Sequence, residues 1–164
     1  EYSVARFAIR AVTPAEIKGM PPDSADCITL WHVLEHLYEP DLWMDEVNRI
    51  LRDDGRCIIA LPNFASSDSA RFGNRWAALD VPRHLWHFTP AAFVNFADRH
   101  GLACEKISAL PLDLFYISYL SYRNESKSMP LIRGAVTGLF IALRNLFRKE
   151  QASSLVFVIS KKKS

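Results

Sequence analysis

The stretch from Asp26 to Leu61 constrains the fold more than any other part of the chain. It opens with DCITLW and closes with RCIIAL. Asp26–Trp31 is short and almost continuously apolar, the pattern of a strand buried on both faces. Pro40 suits a first helical position. Asp41, Asp45 and Glu46 then lie toward the positive end of a helix, and Arg49 and Arg52 toward its negative end. Trp43, Val47, Ile50 and Leu51 fall on one face of that helix. Gly55 ends it and leads into Arg56–Leu61. A strand, a helix and a strand over about 35 residues make a βαβ unit, and its handedness places the two strands side by side and parallel.

Further elements extend this unit. Leu155–Ser160 reads as a third strand, just before the basic run Lys161–Lys163, and Phe7–Val12 and Ala103–Leu110 read as weaker strands. A helix starts at Thr89-Pro90, a cap followed by a preset first turn. It carries Phe93, Phe96 and Ala97 inward and ends at Gly101. The fold class is therefore α/β, with a mostly parallel sheet and flanking helices in one domain over 1–164. Pro62–Phe88 has no clear periodicity but is aromatic, which argues for a functional loop rather than disorder. Leu131–Phe147 is the most apolar stretch. Arg133, Thr137, Arg144 and Arg148 form one narrow polar stripe on it, so a helical insertion is expected at about 112–150. Its internal arginines make it a poor membrane span.

Composition bounds the function. With 164 residues, 49% of them hydrophobic, the chain fills one core. Twenty Lys and Arg against 18 Asp and Glu give a net charge of +2, which is no footprint for duplex nucleic acid. Cys27, Cys57 and Cys104 stand far apart in apolar runs and read as reduced, buried thiols. No signal peptide is visible, and a cytoplasmic location is expected.

The stretch DCITLWHVLEHLYEPDLWMDEVNRILRDDGRCIIALPN resembles the fourth strand, following helix and fifth strand of class I S-adenosylmethionine-dependent methyltransferases. FGNRWAALDVPRHLWHFTPAAF resembles a loop of their small-molecule subgroup often called type 23, and AEIKGMPPDSADCITL resembles the stretch leading into the fourth strand. The resemblance covers residues 13 to 110. It implies a Rossmann-like sheet, S-adenosylmethionine as cofactor, and methyl transfer to a small-molecule oxygen, nitrogen or carbon nucleophile. The family's G-x-G-x-G turn is missing here. The chain thus reads as a methyltransferase domain lacking its N-terminal cofactor-binding part, through truncation, a disordered segment or gene decay. Glu1 stands where the family's ribose-binding acid would fall, and Glu16 near its adenine-facing acid. Trp31 and His32 would line the cofactor's methionine side.

His32, Glu35 and His36 spell H-x-x-E-H at the carboxyl end of a parallel strand, where ligands sit in open α/β sheets. An imidazole titrates near neutrality, so His32 is a candidate general base. In related quinone-type O-methyltransferases an E-x-x-E-H stretch here holds a divalent metal. His32 replaces its first Glu, and no metal ligand is assigned. The same letters match a metalloprotease motif, but that motif needs a sustained helix and here follows a strand. Arg83, His84 and His87, with Trp76 and Trp86, are expected to wall the acceptor pocket, His84 or His87 serving as acid or base. The same residues also read as the entry to the Thr89 helix. The helical insertion is expected to act as a lid over the acceptor, or to lie on a membrane surface, a lipid-like acceptor or a partner. Two other functions remain open: a non-catalytic binding module descended from such an enzyme, and a metal hydrolase built on H-x-x-E-H.

Overall fold

The computed structural model describes residues 12–110, 113–125, 128–145 and 149–163. The expected strand at Phe7–Val12 and the site residue Glu1 lie outside them, Val12 excepted. Helix α1 (Pro14–Lys18) leads to β1 (Ala25–Trp31). A 3-10 turn (Leu34–His36) and α2 (Pro40–Ile50) connect it to β2 (Leu51–Pro62). Then come α3 (Ser67–Phe72), two more 3-10 turns, α4 (Pro90–Arg99) and β3 (Leu102–Ala109). The helical pair α5 (Asp113–Asn124) and α6 (Pro130–Asn145) precedes β4 (Ser154–Lys161).

The sheet order is β1-β2-β4-β3. β1 and β2 are parallel, while β4 runs antiparallel to both β2 and β3. Three of the four strands thus point the same way, and the reversed one is the expected strand before the basic tail. The DDG segment does not stop at a turn. β2 already pairs Leu51 with Ala25, and the next partners are Arg56 and Cys27, so Arg52–Gly55 bulge outward. A Cβ on Gly55 would stand 2.9 Å from Leu51 and 3.1 Å from the Ala25 carbonyl, which is why the bulge carries glycine.

The main core lies on one face of the sheet. Met44 and Val47 of α2 and Phe93, Phe96 and Ala97 of α4 pack onto Cys57, Ile59, Leu61, Leu155, Phe157 and Ile159. Phe93 and Phe157 meet at 4.3 Å between ring centres, and burying each such side chain stabilises by about 2–3 kcal/mol. Among the described residues, β1 is covered on this face only. Ile28 and Leu30 join the core, while Cys27, Thr29 and Trp31 are exposed on the other side. The expected burial of this strand on both faces is not seen, because among the described residues nothing packs on the face that carries Cys27, Thr29 and Trp31. The thiols divide accordingly: Cys57 is buried and pushed up to about 12 by desolvation, whereas Cys27 is exposed.

The stretch after β2 is built rather than loose. Asn63 is buried and donates to the Glu150 and Ala152 carbonyls, while its own oxygen accepts from Ala65 N–H. Phe64 N–H meets the Phe88 carbonyl, so both ends of the excursion are tied together. Inside it, Phe72, Trp76 and Ala78 form a second core with Ile117 and Tyr122 of α5. α5 and α6 pack closely because Gly134 and Gly138, one helical turn apart, face Tyr119 and Phe115. A Cβ on Gly134 would lie 2.7 Å from the Tyr119 backbone.

Candidate active site

β1 ends by aiming one side chain back into the molecule. His32 N–H continues the ladder to the Ala60 carbonyl, and its φ of 52° is left-handed, a strained conformation for a non-glycine residue. The ring is thereby held between two carboxylates: Nδ1 lies 3.2 Å from Glu35 Oε1 and Nε2 lies 3.1 Å from Asp113 Oδ2. Hydrogen bonds to Asp113 and then Glu35 outweigh partial burial and raise the His32 pKa to about 9. The same bond holds the Asp113 carboxyl below its ordinary value, against the opposing effect of its own burial. At neutral pH the group is therefore an imidazolium between two carboxylates.

This group forms a wall of a cavity of about 500 Å³, the size of a small-molecule site. Asp80, Arg83 and His84 line it from the long excursion. Asp113, Tyr116, Ile117, Leu120 and Asn124 line it from α5. A neighbouring cavity of about 550 Å³, lined by Phe64, Ser66, Ser69 and Leu79 among others, offers no titratable side chain. Chemistry therefore points to the first. Its cover is α5, not the more apolar α6, which lies behind α5. The described residues of the segment expected as a lid, Leu131–Phe147, line none of it.

Two sequence motifs far apart in the chain meet here. Leu85 and Trp86 N–H both reach the Glu35 carbonyl, at 2.8 and 3.3 Å. His36 Nδ1–H donates to the Arg83 carbonyl at 2.9 Å, and Trp86 Nε1–H to the Leu37 carbonyl at 2.7 Å. The LEHL turn and the RHLW segment are thus laced together. His84 donates from Nδ1 to the Ala78 carbonyl and faces the cavity. His87 is bonded through Nε2 to the Leu79 carbonyl and is not among the cavity-lining residues. Trp76 is buried, with its indole N–H on Asp68.

Nothing in the sequence singles out Asp113. A single acid at the start of an apolar helix reads as a helix-end charge, and nothing local signals that it will face a histidine 81 positions away.

An α/β sheet of this order, with a polar cavity at the carboxyl end of its parallel strands, defines a Rossmann-like methyltransferase fold of class I. The family model of the methyltransferase domain Methyltransf_23 matches residues 5–107, more than half of the chain, and the chain belongs to that family. No curated protein sequence matches it. A S-adenosylmethionine-dependent methyltransferase from Archaeoglobus fulgidus is similar at a TM-score of 0.54 and 17% identity, over 94% of this chain and 66% of that one. A putative type 11 methyltransferase from Sulfolobus solfataricus is similar at 0.53 and 15%, over 99% and 64%. The [4+2]-cyclase SpnF is similar at 0.55 and 14%, over 93% and 53%. The chain thus spans roughly half to two thirds of these proteins' length, and the likeness is one of fold.

S-adenosylmethionine is the cofactor of this family. Among the described residues, Trp31 and His32 stand at the end of β1, where the resemblance puts its methionine side. Trp31 presents a half-exposed ring beside His32 at the end of β1. Glu16 is engaged in its own helix cap, where its carboxylate accepts from Thr13 N–H and hydroxyl. None of the six glycines stands in a G-x-G turn that could cradle the cofactor.

Proposed function

We propose that this chain carries the acceptor side of a S-adenosylmethionine-dependent methyltransferase, and that the cavity beside His32 takes a small molecule with a nucleophilic oxygen or nitrogen. The observation that carries this reading is the His32–Asp113 pair at 3.1 Å on the cavity wall, at the carboxyl end of β1. When bound, the cofactor supplies a methyl group on a positively charged sulfur. Trp31 and His32 line its methionine side. The apolar face of α5, with Tyr116, Ile117 and Leu120, orients the acceptor and excludes water. His32 is already protonated at neutral pH, so it is not the group that takes the acceptor's proton. Asp113 is. Its ionised carboxylate would accept the proton of the acceptor O–H or N–H as the methyl passes from sulfur to that atom, the S–CH3 bond breaking and S-adenosylhomocysteine leaving, and the His32 imidazolium keeps that carboxylate in position.

Asp113→Asn in the protein carrying this chain tests the assignment, read by release of S-adenosylhomocysteine in the presence of candidate acceptors. Turnover is expected to fall about 100-fold while S-adenosylhomocysteine affinity stays within about threefold. Unchanged turnover would remove Asp113 from the chemistry.

The outer face of α6 favours a second reading, in which the enzyme works at an anionic membrane surface on a lipid-like acceptor. Ile132, Val136, Leu139, Phe140 and Leu143 are all exposed along one side of the helix. Arg133 and Arg144 border them, and a groove beside α6 combines Arg71, Arg144 and Thr137 with Phe140. Among the described residues no helix is long and apolar enough to cross a membrane, so contact would be peripheral. Co-sedimentation with anionic vesicles measures it.

A further inference from the structure

We propose that the groove between α3 and α6 holds the phosphate of an anionic phospholipid, whose acyl chains lie along the apolar arc of α6. The proposal rests on the peripheral-membrane reading and names what that surface recognises. The groove encloses about 610 Å³. Arg71 lines it from α3, and Val136, Thr137, Phe140 and Arg144 line it from α6. It shares no residue with the cavity beside His32, so it is a second site rather than a part of the acceptor's.

Charge selects an anion. No Asp or Glu lines the groove, so nothing there would receive the ammonium of a zwitterionic head. Among the described residues neither Arg71 nor Arg144 has an ion pair, whereas Arg49, Arg56 and Arg83 each do. Two guanidiniums without carboxylates in one groove favour a ligand with several acceptor oxygens, and their planar forks match phosphate. Arg71 is also held ready. Its Nη2–H donates to the Tyr122 hydroxyl at 2.8 Å, and its guanidinium lies 5.6 and 5.9 Å from the ring centres of Phe72 and Tyr122. The Tyr122 hydroxyl is in turn 2.9 Å from that of Thr137 on α6, which ties the two sides of the groove together. A cation fixed in this way loses less conformational freedom on binding.

Apolar surface beside the charge selects an amphiphile. Val136 and Phe140 are 64% and 68% exposed and belong both to the groove and to the arc that runs through Ile132, Leu139 and Leu143. A chain leaving the phosphate therefore meets apolar surface at once, which a free phosphate would leave in water. The depths agree as well. A helix lying in a membrane interface buries its apolar face about 5–10 Å into the boundary between head groups and acyl chains, and bordering arginines reach back to the phosphates. Arg133 supplies the internal comparison. It is exposed on the same helix but does not line the groove. Adsorption to a negative surface treats Arg133 and Arg144 alike, whereas a phosphate seat needs Arg144 only.

The full chain is titrated with dihexanoyl phosphatidylglycerol below its micelle concentration and followed by backbone amide NMR signals. Saturable shifts are expected at Arg71, Thr137 and Ile141 before those of Ala78 and Leu120, which line the cavity beside His32. Arg144→Gln should weaken binding at least about tenfold, and Arg133→Gln less than about twofold. Inorganic phosphate at equal concentration should not displace the lipid. The wild-type shifts locate the site without any variant, so a variant that fails to fold leaves the test intact. Absence of saturable binding, shifts centred on Ala78 and Leu120, equal losses in the two variants, or displacement by inorganic phosphate would overturn the site. Vesicles of phosphatidylcholine with and without phosphatidylglycerol separate the groove from the reading it rests on. Sedimentation with the anionic vesicles alone, weakened more by Arg144→Gln than by Arg133→Gln, is the expected result. Sedimentation weakened equally by both keeps the peripheral contact and overturns the groove. Saturable short-chain binding without sedimentation keeps the groove and removes the peripheral contact.

Discussion

At the scale of single residues, the site is governed by His32. A left-handed backbone at the end of β1 turns its ring between Asp113 and Glu35, which converts a group that ordinarily titrates near neutrality into a standing cation. The sign of the resulting pH dependence follows. The His32 contribution is full below about 6.5 and is lost as pH rises through about 9. The Asp113 contribution is present above its ordinary carboxylate range and is lost as pH falls through its depressed value. The pair therefore stabilises the fold across neutrality and fails at both ends. Partial exposure of both groups keeps the effect small through screening. Between pH 7 and pH 10 the melting temperature of the wild type should fall more steeply than that of His32→Gln. Identical slopes in the two proteins would show that the His32 proton is not linked to folding. H-x-x-E-H was legible as a cluster at a strand end, but its charge state was not. That state depends on Asp113, which arrives from a helix late in the chain.

At the scale of elements, the helical insertion was legible in composition and its orientation was not. Leu131–Phe147 shows a polar stripe in sequence, and such a stripe ordinarily faces water. In the structure Thr137 turns inward to Tyr122, 2.9 Å from its hydroxyl, and Gly134, Gly138 and Ile141 form the packed side. Close approach to α5 requires the two glycines, so packing rather than polarity chooses the buried face and leaves the apolar arc outside. Wild-type protein is expected to co-sediment with anionic vesicles, and Ile132→Asp with Phe140→Asp together should abolish this with the fold retained. If the wild type stays in the supernatant, the membrane reading is withdrawn and the arc needs another cover. The excursion between β2 and α4 follows the same logic. Its aromatic content announced a built structure, but its α-helix and 3-10 turns have no hydrophobic period of their own and form around Trp76 and Tyr122.

At the scale of the molecule, the chain presents a methyltransferase sheet whose outer strand, β1, has one covered face among the described residues. Cofactor recognition in this fold rests on backbone amides of a glycine-rich turn, and none of these 164 residues offers one. The chain by itself is accordingly expected to bind S-adenosylhomocysteine weakly or not at all by calorimetry. Micromolar or tighter binding would mean that Trp31 and its neighbours suffice. The sequence by itself determined the βαβ unit, the helix at Thr89 and the family. Each depends on local pattern: apolar runs of strand length, the Pro40 and Thr89-Pro90 helix starts and the glycine stop at Gly101, which act within a few positions. Gly55, by contrast, lies in the bulge of β2, and the helix before it ends at Ile50. Tertiary structure alone decided the reversed strand β4, the lacing of LEHL to RHLW, and the meeting of His32 with Asp113. These join segments 47 to 102 positions apart, and their energies come from burial and hydrogen bonds that no local pattern encodes.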